Sequence, residues 1–203
     1  EFRGTFPAIL DDEVFGEAAR DFYQDARKML AQMIAGKWVT ARAVLGLFPA
    51  DRIGDDDIAV YADEQRSKPL AMLHHLRQQK PHNEDQPNAC LADFIAPRDS
   101  GFRDYIGAFA VTAGIGIESH VAAFERDHDD YSSILLKAMA DRLAEACAEY
   151  LHAQVRRVHW GYAPDEALDN DQLIAEKYVG IRPAPGYPAC PDHTEKETLW
   201  RLL

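Results

Sequence analysis

The residues best equipped for chemistry lie in one short segment, residues 180–193, with the sequence GIRPAPGYPACPDH. Four prolines, Pro183, Pro185, Pro188 and Pro191, fall there at nearly alternate positions. Each fixes φ and removes a backbone donor, and each biases the residue before it toward extended geometry, so the strip is stiff before any ligand arrives. On it, Arg182 offers a planar fork suited to a carboxylate. Gly186 permits close approach, and Tyr187 supplies a ring face with a hydroxyl. The set suits a small zwitterionic ligand carrying a flat aromatic base. It equally suits a Pro-rich crossover in which Arg182 pairs with a nearby glutamate and Tyr187 packs on the core.

Three carboxylates could serve such a ligand. Glu145 and Glu149 are one helical turn apart in a long helical stretch, and Glu176 closes the helix that precedes the strip. Carboxylates beside an ammonium or sulfonium are sound electrostatics, while most helix glutamates are simply solvated. Other candidates are poorer. His74 and His75 are adjacent on an expected strand and so point apart, and Cys190 with His193 offers two ligands where a zinc site needs four. The run Asp55-Asp56-Asp57 reads as a solvated turn, since a calcium loop needs a longer oxygen-bearing pattern. No GxGxxG, P-loop, GxSxG or HExxH occurs in the 203 residues, which leaves dinucleotide binding, phosphoryl transfer and hydrolase chemistry without support. No metal site and no acid, base or nucleophile is expected.

The elements that must position the strip follow from periodicity. Over residues 11–35, Val14, Ala18, Phe22, Ala26, Met29, Leu30 and Met33 recur at steps of three and four, predicting an amphipathic helix ended by Gly36. Strands are expected over residues 43–48 and 57–61 with a loop at 49–56 between them, then a short strand from Leu70 running into a turn at His74-His75. A hydrophilic loop is expected over residues 81–87. The apolar runs at 90–95 and 105–112 read as a strand pair. From Glu118 onward the period becomes helical to about Val158, first in one helix and then in a longer Ala-rich one. Pro164 suits the first turn of another helix ending near Lys177. A last helix is expected from Thr194, whose spacing to Glu197 is that of a capping box. Strands in consecutive runs with segregated helices indicate an α+β fold with a mainly antiparallel sheet.

Bulk composition narrows the function. With 22 Lys and Arg against 34 Asp and Glu the net charge is -12, which opposes a sequence-independent grip on nucleic acid. The three cysteines include no CxxC pair, so neither a disulfide framework nor a zinc ribbon is expected. No apolar run of membrane-spanning length or signal peptide is present, and the chain reads as a cytoplasmic single domain over residues 1–203. It begins Glu1-Phe2-Arg3 without Met and stops within the helix begun at Thr194, as an excised piece would.

Taken together, the string YVGIRPAPGYPACPDHTEK (residues 178–196) closely resembles the signature of the S-adenosylmethionine-binding, C-terminal activation domain of cobalamin-dependent methionine synthase. AVLGLFPADRIGDD (43–56), HHLRQQ (74–79), CLADFIAP (90–97), DYIGAFAVTAG (104–114) and HDDYSSILLKAMADRLAEACAEYLH (128–152) resemble it too. The matches fall in order along almost the whole chain. The resemblance implies a C-shaped α+β domain with a twisted, mainly antiparallel sheet and flanking long helices. It also implies a shallow S-adenosylmethionine groove built on an Arg-x-x-x-Gly-Tyr element, here Arg182, Gly186 and Tyr187, with Pro183 and Ala184 supplying backbone. Arg182 is then expected to meet the methionine carboxylate, and Glu145 and Glu176 match acidic positions near the site. The implied role is reactivation: the domain positions the methyl donor for reductive methylation of cob(II)alamin to methylcobalamin, in methionine biosynthesis. The cobalamin is held by another domain of the same polypeptide, and a flavodoxin-like or flavoprotein reductase supplies the electron. The family's flanking pieces imply that this chain is trimmed at both ends. The alternative is a docking module for the cobalamin domain or the reductase, with no independent ligand binding.

Overall fold

The computed structural model describes residues 4–80 and 87–203. The loop expected over residues 81–87 lies outside the described residues except for Pro87.

The first long helix, α1, runs Gly16–Gly36 and buries Met29 and Met33, one turn apart on one face. It starts five residues later than its apolar period predicts. The carboxylate of Asp12 accepts from the N–H groups of Val14 and Phe15, both at 2.8 Å, and this local turn competes with helix. Ahead of it, Ala8–Asp11 form a 3-10 turn, and Val14 stays 79% exposed rather than joining the buried face. At the far end Gly36 is the last helical residue and Lys37 takes the left-handed cap with φ 49°.

Four strands follow: β1 (Thr40–Ile53), β2 (Asp57–Tyr61), β3 (Pro69–His74) and β4 (Asp104–Ile115), in the spatial order β3-β2-β1-β4. The β1/β2 and β2/β3 pairs are antiparallel, with Asp51 opposite Ala59 and Ala59 opposite Met72. The fold is therefore α+β with an open, mainly antiparallel sheet, as expected. Two local expectations fail. Residues 49–53, expected as loop, continue β1, and only residues 54–56 turn. The polar Asp51 is tolerated inside the sheet because Arg66 donates to its carboxylate and to the Ala50 carbonyl. Residues 90–95, expected as a strand pairing with 105–112, form a 3-10 turn, Leu91–Phe94. Asp93 accepts from the Cys90 N–H at 2.9 Å and takes both Arg77 nitrogens at 2.8 Å, so side-chain bonds replace a ladder.

The remaining helices are α2 (Ile117–Arg126), α3 (Asp130–Gln154), α4 (Asn170–Ile174) and α5 (Glu195–Leu202). The backbone after α3 continues as one π-helical turn, Val155–His159. The helix expected from Pro164 shrinks to α4, because Asp169 and Gln172 form a reciprocal capping pair that starts the helix there. The Thr194/Glu197 capping box does not form. Asp192 instead accepts from the Thr194 N–H at 2.8 Å, one residue pair upstream.

The chain divides into two compact units, residues 1–42 with 111–150 and residues 43–110 with 151–203. In the first, Met29, Met33, Leu135 and Leu136 form the core, with Trp38, Val121 and Phe124 against them. In the second, Ala50, Ile58, Val60, Leu73, Cys90 and Ile95 form the core, closed by Leu199 and Leu202 of α5. Among the described residues no helix is long and apolar enough to cross a membrane.

Candidate functional site

The Pro-rich strip belongs to the second unit and is held by its own backbone rather than by regular structure. Gly186 N–H donates to the Cys190 carbonyl at 2.8 Å, Tyr187 N–H to Ala184 at 3.0 Å, and Cys190 N–H to Tyr187 at 2.9 Å. The Leu91 N–H reaches the Ala189 carbonyl at 2.8 Å and pins the strip to the turn after β3. These bonds and the four prolines fix the backbone from residue 184 to 190 without a ladder.

Two glycines set its path. Gly186 has φ 107°, and a Cβ there would lie 2.5 Å from Cε1 of His193. The position is closed to other residues both by conformation and by the imidazole on it. Gly180 has φ 95°, and a Cβ there would meet the Tyr162 hydroxyl at 2.9 Å. That hydroxyl donates to the Val179 carbonyl at 3.1 Å. Between the glycines, Arg182 and Pro183 are half-buried and Ala184 is exposed, while Tyr187 is 62% exposed with its ring available at the surface.

The expected glutamates are placed differently. Glu176 is exposed just after α4, and its backbone is left-handed at φ 53°, a conformation that a non-glycine residue adopts at some strain. Glu145 lies on α3 in the other unit, exposed, with its carboxylate 2.9 Å from Arg142 one turn earlier. Arg182, Pro183, Ala184, Gly186 and Tyr187 are thus gathered in one strip with Glu176 just upstream of it in the same unit, and Glu145 is in the first unit.

Sequence reasoning missed the group beneath the entry to the strip. Arg156 is fully buried, on the π-helical turn. Its Nε and Nη2 donate to the two oxygens of Glu166 at 2.8 and 2.6 Å, and its Nη1 donates to His152 Nδ1 at 2.6 Å. The guanidinium carbon is 4.3 Å from the centroid of the Tyr178 ring, and the His152 ring meets that ring edge-on at 4.9 Å. Since arginine only donates, Nδ1 of His152 is an acceptor and the ring is neutral. Burial, with the charges of Arg156 and Arg182, lowers its pKa to about 4. The Glu166 carboxyl is held below its usual value by the Arg156 hydrogen bonds. No signal in the sequence marks it, since Gln154, Arg157 and His159 make the same stretch polar.

The two histidines of residues 74–75 do point apart. His74 is exposed beside Asp57 at 3.0 Å, whereas His75 is buried with Nδ1 3.5 Å from the Cys190 sulfur. Burial raises the Cys190 thiol to about 11 and lowers His75, so this pair is inert packing. Among the described residues no group of three or more His, Cys, Asp or Glu could hold a metal.

A family model described as the activation domain of vitamin B12 dependent methionine synthase matches residues 1–203. Among solved structures, the chain is similar to one described as the MetH reactivation domain bound to AdoHcy, with 56% sequence identity and a TM-score of 0.90. The match covers 100% of this chain and 62% of that one, so the chain spans about three fifths of its solved relative.

Proposed function

The chain belongs to the activation-domain family of vitamin B12-dependent methionine synthase, and from that premise we propose that it holds S-adenosylmethionine on the Pro-rich strip and presents its methyl group to cobalamin. The family match over residues 1–203 supports reading both units as one activation domain. The observation that carries the ligand assignment is the half-buried Arg182 and the exposed ring of Tyr187 on one Pro-stiffened strip, with the backbone turned between them at Gly186, φ 107°. A solved relative that holds AdoHcy, the demethylated form of the same ligand, supports the choice of ligand.

In this reading Arg182 pairs with the ligand's carboxylate as a charge-assisted fork. Backbone at Pro183 and Ala184 lines the groove, Gly186 turns the strip at a positive φ with the His193 imidazole on its open side, and Tyr187 presents its exposed ring beside the ligand. Glu176, just upstream of the strip in the same unit, supplies negative charge for the ammonium and sulfonium. The sulfonium is already an activated leaving group, so the protein's contribution is placement of the methyl, which lowers the entropic barrier to transfer. No residue of the chain is assigned a proton or a nucleophilic step.

The cobalamin is assigned to another domain of the parent polypeptide, and the electron for reductive methylation to a flavodoxin-like or flavoprotein reductase. The cytoplasm is the proposed compartment. A second reading, in which the chain only docks the cobalamin domain or the reductase, draws on the exposed apolar groups of the same region, Val179, Ile181 and Tyr187. Calorimetric titration of the intact polypeptide with S-adenosylmethionine separates them. Saturable heat that Arg182→Ala diminishes supports the ligand site, and no heat at all favours docking alone.

A further inference from the structure

We infer that Arg156, clamped by Glu166, is a positioning residue for Arg182: it fixes the ring of Tyr178 and thereby the backbone path from which Arg182 reaches a ligand carboxylate. The inference rests on the S-adenosylmethionine reading above and deepens it, because it assigns discrimination for the amino-acid end of the ligand to a buried group that does not touch the ligand.

The argument starts from the helix. The π-helical turn Val155–His159 inserts an extra residue into the hydrogen-bond spiral, and such turns often mark sites where a side chain has been re-aimed. Here Trp160 N–H closes the wide turn on the Val155 carbonyl at 2.9 Å, and the Ala163 N–H returns to the Arg156 carbonyl at 2.9 Å. Arg156 has no exposed surface, and its directed partners include the two oxygens of Glu166 and Nδ1 of His152. A buried ion pair of this kind is weak evidence for stability, since its desolvation offsets much of its attraction. It fixes geometry instead, because the bidentate fork allows one orientation.

What it fixes is the start of the strip. The guanidinium covers one face of Tyr178 and His152 meets the ring edge-on. One residue later Tyr162 holds the Val179 carbonyl, and two residues later Gly180 passes against the same hydroxyl with φ 95°. Residues 178 and 179 are therefore tied by different side chains, with Gly180 beside the second of these, and Arg182 follows Gly180 by two residues. From there onward the prolines leave little freedom to correct an error. The electrostatics agree with proximity: the charge of Arg182 is among those that disfavour protonation of His152.

The test measures a preference rather than an affinity. The intact polypeptide is titrated with S-adenosylmethionine and with 5′-methylthioadenosine, which keeps the nucleoside and lacks the carboxylate, the ammonium and the sulfonium charge. Glu166→Gln keeps the shape of the clamp and removes its charge, and Tyr178→Leu removes the ring; circular dichroism confirms that each is folded. Both are expected to lower the preference for S-adenosylmethionine by about threefold or more, within the range of coupled contacts, with methylthioadenosine binding unchanged. In the Arg182→Ala background, where the carboxylate's share of the preference has already gone, neither should lower it further. If Arg182→Ala lowers the preference and both clamp variants leave it intact, the positioning role is wrong and the ligand reading stands. If Arg182→Ala leaves the preference intact, or the wild type binds neither nucleoside, the ligand reading fails and takes this inference with it. Should one clamp variant not fold, the other decides.

Discussion

The imidazole of His193 occupies the space where a side chain at residue 186 would begin, with 2.5 Å between its Cε1 and the position of a Cβ there. Gly186→Ala must therefore displace His193 and also hold a left-handed backbone at φ 107°. Strain of this kind costs about 1–3 kcal/mol. The expected outcome is a lower midpoint of thermal unfolding together with weaker S-adenosylmethionine binding. An unchanged midpoint and affinity would show that the strip can relax around a methyl group.

Arg182→Ala is expected to weaken S-adenosylmethionine binding by about 1.5–3 kcal/mol, the usual worth of a hydrogen bond to a charged group. Methyl transfer to homocysteine by the parent polypeptide should be nearly untouched, because reactivation is needed only after cofactor oxidation. Calorimetry and steady-state turnover, run on the same preparation, read the two effects separately.

Arg156→Met leaves Glu166 nearly buried and without its fork. Breaking one side of a buried pair costs about 3–5 kcal/mol, whereas replacing both sides by apolar groups is far milder. The double variant Arg156→Met with Glu166→Leu should therefore regain most of the stability lost by the single one. Urea unfolding midpoints of the two variants decide the matter, and equal losses in both would contradict it.

His152 makes stability depend on pH. Its folded pKa is near 4 against an ordinary 6.5, so the unfolded chain binds a proton that the folded chain refuses. The contribution is fully present above about pH 6.5 and is lost as pH falls toward 4, by up to about 3 kcal/mol. His152→Gln should flatten the stability profile across that window. Glu166 also weakens the fold in acid, and it does so below its ordinary value, 4.5. A variant whose profile remains as steep between pH 6.5 and 4.5 would place the titration elsewhere.

Long periodic elements were legible in the residues, and so was the strip. The α1 and α3 stripes, the β2 alternation and the dense prolines each state their geometry locally. What was not legible depended on partners far away in the chain. Residues 49–53 looked like a turn because Pro49 and Asp51 punctuate sequences, yet Arg66 neutralises Asp51 within the sheet. Residues 90–95 looked like a strand because they are apolar, yet Arg77 and Asp93 close a 3-10 turn there. At the site, Arg182, Gly186 and Tyr187 stood out by type and spacing. Arg156 did not, because nothing in a helical arginine announces that Glu166, ten residues on, will bury it.

The π-helical turn after α3 amounts to a change of phase. An uninterrupted helix repeats its faces every 3.6 residues, so a stripe that serves one core dictates where every later side chain on the same rod must point. One extra residue breaks that dictation. Arg156 still keeps the azimuth of α3, one turn after His152, while the chain from Trp160 onward is released from it. Deleting one residue from 157–159 would restore the phase and turn the chain that follows by about 100° relative to Arg156, so that Glu166, though still present, would no longer meet it.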